Sequence, residues 1–161
     1  MTVLFHVREQ QLSVGELILP GRWGRSVLND EKNHPFFFRE HLLEIWRRQF
    51  TTIQVSRFTC TYAYEDLNEA IKYADSLRYV YCVESTDSTA DTARLDMLWL
   101  TWMGEPMVDT NKISQWCRNY WAGNAAAALS QTAHSSWERL FSCPLRVLEI
   151  VRHPRARSAL N

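Results

Sequence analysis

Much that would narrow the function of this chain at a glance is missing from it. Its four cysteines, Cys60, Cys82, Cys117 and Cys143, are far apart, so no pair has the spacing of a zinc knuckle or a redox motif. No metal is implied. Cys60 and Cys82 sit in apolar runs and read as buried free thiols. Charge of either sign is not in excess: 18 basic residues balance 18 acidic ones, so no global field draws the chain to nucleic acid, although a local basic groove remains compatible with that balance. No apolar run approaches the roughly 18 residues of a spanning helix. The opening Met1-Thr-Val-Leu-Phe5 lacks the basic and apolar regions of a secretory signal. The expectation is therefore a cytoplasmic protein without a membrane partner, with a toxin exported by another route as the alternative. There is no internal repeat and no low-complexity segment.

What is present suits one domain. With 161 residues, 46% of them hydrophobic, the chain has material for a single core. We read it as a domain over 1–152 followed by a basic tail over 153–161. Residues 3–7 open as a short buried strand, 17–19 form another, and 20–24 read as a turn-rich loop. His34-Pro35 marks a helix entry, and Leu42, Leu43, Ile45, Trp46 and Phe50 give that helix an apolar face. Residues 53–64, rich in Thr, Val, Phe and Tyr, predict a strand. Asp66 starts a helix whose Leu67, Ala70, Ile71 and Ala74 fall at i, i+3, i+4 and i+7. Residues 79–84 are the clearest strand, and 85–91 form a polar loop. Residues 96–102 fit strand or helix. Ile113, Trp116, Cys117 and Tyr120 return to helical spacing, broken by Gly123-Asn124. A short helical turn over 125–129 and a polar loop over 131–136 lead to closing strands at 137–141 and 145–151. The class is α+β.

Three separated pieces carry chemistry. Tyr62 ends a strand, and Tyr73 lies eleven residues on, in the next helix. Two rings so placed could clamp a flat aromatic cation such as nicotinamide. The alternative is a strand-core tyrosine and a helix tyrosine beside the apolar stripe. His6 stands in an apolar run, where a satisfied core histidine is the plainer reading. Glu138 opens a short strand, where a solvent-facing glutamate is the plainer reading.

Taken in order, the pieces resemble the His–Tyr–Glu signature of the ADP-ribosyltransferases. Phe5-His6-Val7-Arg8 looks like that family's first motif. Residues 62–73 are similar to the strand–helix segment of poly(ADP-ribose) polymerases and diphtheria toxin, where two nicotinamide-stacking tyrosines have the same spacing. Trp137-Glu138-Arg139, followed by an apolar strand, resembles the polymerases' catalytic-glutamate segment. Gly15-Glu-Leu-Ile-Leu-Pro-Gly21, Val83-Glu84 and Pro144-Leu-Arg-Val-Leu148 are similar to segments of the rifampin ADP-ribosyltransferases, in the same order over nearly the whole chain.

The resemblance implies a split β-sheet ADP-ribosyltransferase-like fold with peripheral helices, and an NAD-dependent mono-ADP-ribosyltransferase. It implies that His6 binds the adenosine ribose and that backbone just after it, at Val7, holds the nicotinamide amide. Tyr62 and Tyr73 would stack the nicotinamide, and the Glu138 carboxylate would stabilise the oxocarbenium charge. The polymerases' amide-bonding Ser corresponds to Ala70 here, so that contact has to come from elsewhere. Arg22 and Arg25 are candidates for the pyrophosphate, or else solvated loop arginines.

Ser136 stands where arginine-modifying toxins carry Glu and asparagine-modifying ones carry Gln, which disfavours both acceptors. Residues 124–137, with Gln131, His134, Ser135 and Ser136, are expected on the acceptor side, His134 being the candidate base. Asp91 competes with Glu138 as third member. Residues 92–123, including Asp96, Trp99, Trp102 and Trp121, are an added lid or platform, or an extension of the core. The acceptor stays open among a nucleic-acid base, a small molecule and a protein. A bacterial or phage toxin or defence effector fits the size, with an antitoxin or inhibitor protein as its partner. A catalytically silent nucleotide- or partner-binding member and an NAD glycohydrolase are the other readings.

Overall fold

A computed structural model describes residues 3–30, 33–104, 110–129 and 133–154. Seven strands form one antiparallel sheet: β1 (Leu4–Arg8), β2 (Leu17–Ile18), β3 (Thr61–Tyr64), β4 (Tyr79–Ser85), β5 (Thr92–Asp96), β6 (Trp137–Phe141) and β7 (Leu145–Arg152), in the order β2-β7-β4-β1-β3-β6-β5. The helices are α1 (Arg22–Asp30), α2 (Phe37–Phe50), α3 (Leu67–Ala74), α4 (Leu98–Met103) and α5 (Thr110–Trp121), with a 3₁₀ turn at Ala126–Leu129. The α+β class holds. Among the described residues no helix is long and apolar enough to cross a membrane.

Strand alternation sends side chains to two faces. On one face, Leu4, Ala63, Tyr81, Val83, Phe141, Leu145 and Val147 pack with Leu12 and Ile18. On the other, α3 covers Phe5, Val7, Tyr64 and Val80 with Ala70 and Ala74. Farther along that second face, Tyr62, Ala93, Leu95 and Leu140 meet Leu43 of α2, Trp99 of α4 and Tyr120 and Trp121 of α5. The sheet is not uniformly laddered. All of β1 runs along β4, from Leu4 opposite Val83 to Arg8 opposite Tyr79, yet it meets β3 in one registered pair, Phe5 opposite Tyr64.

Three segments depart from the sequence reading. Residues 20–24 hold a turn at Gly21, whose φ is +81°, but helix begins at once at Arg22. Val27 is fully buried, Trp23 packs against His34 and Phe36, and between them Gly24 lies so close to the 56–59 turn that a Cβ would stand 2.0 Å from the Phe58 carbonyl oxygen. Of residues 53–64, only Thr61–Tyr64 is strand. The carbonyls of Ile53 and Gln54 accept from Arg47 Nη1 on α2 at 2.7 and 3.3 Å, so this backbone is satisfied by a helix rather than a ladder. Residues 96–102 divide between the end of β5 and α4, because Asp96 Oδ1 accepts from the Leu98 N–H at 3.0 Å and starts the helix.

Candidate functional site

β1, β3 and β6 stand side by side, and they carry His6, Tyr62 and Glu138. His6 Nδ1 lies 2.7 Å from the Tyr62 carbonyl oxygen, bridging the poorly laddered β1–β3 junction. Burial, with Arg8 and Arg22 nearby, lowers the His6 pKa to about 4 against the raising effect of that hydrogen bond. The ring is therefore neutral near pH 7. Since a carbonyl only accepts, the proton sits on Nδ1 and leaves Nε2 as an acceptor.

Glu138 lies opposite Tyr64 in the β3–β6 register and is 3% exposed. Its Oε1 accepts from Arg57 Nη1 at 2.5 Å and from the Tyr120 hydroxyl at 2.7 Å. Arg57 Nη1 also donates to the Tyr120 oxygen, and its Nε donates to Glu40 Oε2 at 2.7 Å. Glu40 in turn accepts from Arg39 Nη2 at 2.8 Å. Tyr62 joins the cluster twice: its hydroxyl donates to the Arg57 carbonyl at 2.5 Å, and its ring centroid lies 5.0 Å from the guanidinium carbon.

The charges are set by these contacts. Burial opposes the Arg57 cation, and Glu138 and then Glu40 overcome that, holding its pKa well above the ordinary value. Burial likewise opposes the Glu40 anion, and Arg57 and Arg39 overcome it to hold that carboxyl below its usual range. Burial pushes the Tyr62 and Tyr120 hydroxyls well up, so both stay protonated as donors.

Not every candidate converges. His6 lies opposite Tyr81 in β1–β4, whereas Phe5, Tyr64 and Glu138 are successive register partners across β1, β3 and β6. The pleat thus directs His6 and Glu138 to opposite faces. What connects them is Tyr62, through its carbonyl on one side and its ring on the other. Tyr73 is half-exposed, and its ring packs on Tyr64 at 5.5 Å and under Arg78. The ring it meets is Tyr64, because Tyr64 shares the Tyr62 face but lies nearer the start of α3. Ala70 is fully buried between α3 and the sheet. Val7 packs beneath the same helix.

Arg22 and Arg25 are exposed on α1, Arg25 Nη1 donating to the Pro20 carbonyl at 3.4 Å. Arg22 lies close enough to lower the pKa of Arg8, whose first cause of lowering is burial. Arg8 Nε is buried with no hydrogen-bond partner. Two guanidiniums and an orphaned N–H beside His6 suit a polyanion such as a pyrophosphate. His134 is exposed, and Gln131 lies outside the described residues. The Ser136 N–H donates to Asp96 Oδ1 at 3.0 Å, and Ala126 N–H donates to Asp96 Oδ2 at 2.8 Å, so Asp96 anchors the approach to Glu138. Asp91 is exposed, and its carbonyl accepts from Ser142 N–H, beyond the far end of β6 from Glu138. Trp99 and Trp121 are buried, their indole N–H groups donating to the Asn124 and Leu43 carbonyls, so these residues of the 92–123 segment extend the core. A cavity of about 520 Å³ lined by Trp46, Phe50, Arg118 and Trp121 includes none of the three motif residues.

No protein-family model matches this sequence, and none of the curated proteins matches it.

Sequence reading did not single out Arg57, Glu40 or Arg8. Arg57 had a signal, as the one charged residue in the otherwise uncharged run 53–64. Buried charge demands a partner, but nothing local in the sequence says that the partners are Glu40 and Glu138.

Proposed function

We propose that this protein cleaves the nicotinamide–ribose bond of NAD and transfers ADP-ribose to an acceptor. The observation that supports it is the adjacency of β1, β3 and β6, which brings three separated motif pieces to one junction joined by the His6–Tyr62 hydrogen bond. NAD is extended, which matters because His6 and Glu138 emerge on opposite sides of that junction. A ligand crossing it could meet Arg8, Arg22 and His6 with its phosphates and ribose, and the Tyr62–Glu138 side with its nicotinamide ribose. As the glycosidic bond breaks, the electron pair leaves with nicotinamide and positive charge grows on the ribose. The Glu138 carboxylate, through Oε2, which neither the Arg57 nor the Tyr120 bond uses, stabilises that charge. The acceptor oxygen or nitrogen then bonds to the anomeric carbon and gives up its proton. With Ser136 in place of a second carboxylate, a hydroxyl or base amine suits this site better than a guanidinium.

A second reading has its own support. Glu138 is buried and paired with Arg57, the condition of a structural glutamate, and a silent nucleotide- or partner-binding protein would carry it equally well. Nicotinamide release from NAD, with and without cell lysate as acceptor source, separates the two. Under the transfer reading the wild-type protein releases nicotinamide, label appears in an acceptor, and Glu138→Gln slows release on the order of 100-fold or more while NAD still binds. Equal release by Glu138→Gln and wild type would leave the glutamate structural.

A further inference from the structure

Arg57 has one positive charge and two carboxylates on it. Glu40, Arg57 and Glu138 are all at most 4% exposed, so water screens their interaction little. The guanidinium divides by atom: Nε serves Glu40 at 2.7 Å and Nη1 serves Glu138 at 2.5 Å. Glu40 has a second cation, Arg39 at 2.8 Å, while Glu138 has none among the described residues and is otherwise held by a neutral hydroxyl. The cluster is balanced as a whole, two carboxylates against two guanidiniums, but its negative charge is least compensated at Glu138.

We infer that Glu40 is a positioning residue that acts through Arg57: by drawing on the Arg57 charge it lets Glu138 face the reacting ribose as a net anion. This rests on the transfer reading. Without the Glu40 charge, Arg57 belongs to Glu138 alone, and the carboxylate becomes half of a closed ion pair with little field left for a developing cation.

The test is the steady-state kinetics of NAD cleavage. Glu40→Gln, close in shape to the native residue, is expected to lower kcat on the order of tenfold or more with KM within about twofold, because the lost interaction is made with the transition state. Glu40→Asp, which keeps a second carboxylate beside Arg57, is expected to hold kcat within about fivefold of wild type. Charge sharing thus has Glu40→Asp faster than Glu40→Gln, whereas a merely structural network, which Gln fills better than the shorter Asp, has it slower, and that order would overturn the inference. Should Glu40→Gln fail to fold, Glu40→Asp carries the test alone, and a kcat loss beyond about tenfold sinks the idea.

A wild-type protein that cleaves no NAD is a failure of the transfer reading and not of the sharing, which has a readout of its own. Nitrogen NMR of the Arg57 guanidinium follows it, since Nε donates to Glu40 at 2.7 Å and Nη1 to Glu138 at 2.5 Å. In Glu40→Gln both the Nε and the Nη1 signals are expected to move, as Arg57 turns wholly to Glu138. A Nη1 signal that stays where it is would mean that the guanidinium is not shared.

Discussion

Gly24→Ala sets two effects of known size against each other. Within a helix, Ala is favoured over Gly by about 0.5–1 kcal/mol, and Gly24 has ordinary helical backbone, so propensity alone calls for stabilisation. Packing calls for the reverse. The new Cβ would stand 2.0 Å from the Phe58 oxygen and 2.6 Å from its carbonyl carbon and Cα. These are backbone atoms, which cannot swing aside as a side chain would. Reaching ordinary van der Waals separation, about 3.5 Å, takes a shift on the order of 1 Å of α1 or of the turn. Forced overpacking costs about 1–3 kcal/mol and occasionally more, so the clash wins, and a net loss of about 1 kcal/mol is expected.

The site should feel it as well. The turn carries Arg57, whose carbonyl holds the Tyr62 hydroxyl and whose guanidinium holds Glu138. Urea unfolding followed by tryptophan fluorescence and by far-ultraviolet circular dichroism measures the stability change, and nicotinamide release measures the site. A variant as stable as wild type, or more so, would refute the close approach of α1 to the turn and the argument built on it.

Two further predictions concern the rings of the candidate site. His6 has a folded-state pKa of about 4 against 6.5 unfolded. The unfolded chain therefore takes up the proton first, and stability falls as pH drops from the unfolded value toward the folded one. The loss is about 2 kcal/mol between about pH 7.5 and pH 5, and His6→Gln should lack that increment. Identical pH dependence in the two proteins would show His6 to be free to ionise in the fold. Tyr73→Ala, at a half-exposed ring, should weaken NAD binding by about 1 kcal/mol with little change in melting, whereas Tyr64→Ala, at a buried ring, should cost about 3–5 kcal/mol of stability. Calorimetric titration giving wild-type NAD affinity for Tyr73→Ala would assign that ring to the surface of α3 alone.

The parts of the fold that were legible in the sequence are those whose partners are local. The α3 stripe of Leu67, Ala70, Ile71 and Ala74 buries the face that its spacing predicts, and Asp66 caps it by accepting from the Glu69 N–H at 3.0 Å. β7 opens with the alternation its sequence shows, Leu145 and Val147 inward and Arg146 outward. What was not legible depended on distant partners. The β-rich composition of residues 53–60 gave way to side-chain bonds from α2, including Arg47 to the Ile53 carbonyl and Ser56 to Glu44. Pro20-Gly21 marked a turn correctly but could not reveal that Phe58 waits for Gly24 just beyond it. The eleven-residue tyrosine spacing is real, yet strand alternation supplies a second ring two residues along, and Tyr64 is the one that α3 brings to Tyr73.

The buried charges are not what the fold needs in order to hold together. Leu43, Leu95, Trp99, Trp121 and Leu140 already give that side of the sheet an apolar core, and apolar residues of similar volume commonly serve as well as a buried ion pair or better. The arrangement also concentrates its consequences: removing one partner leaves an uncompensated buried charge, whereas removing both does not. Glu40 comes from α2, Arg57 from the loop before β3, Tyr120 from α5 and Glu138 from β6; Arg57 and Tyr120 both reach the single oxygen Oε1 of Glu138, and Glu40 holds another nitrogen of the same guanidinium. So much convergence fixes one carboxylate in position and orientation beside Tyr62. A structural glutamate needs a partner, but it does not need its partner's charge drawn off by a second carboxylate. That division is what a site stabilising a transient cation requires, and it is the physical reason to look for chemistry at Glu138 rather than at the roomier cavity between α2 and α5.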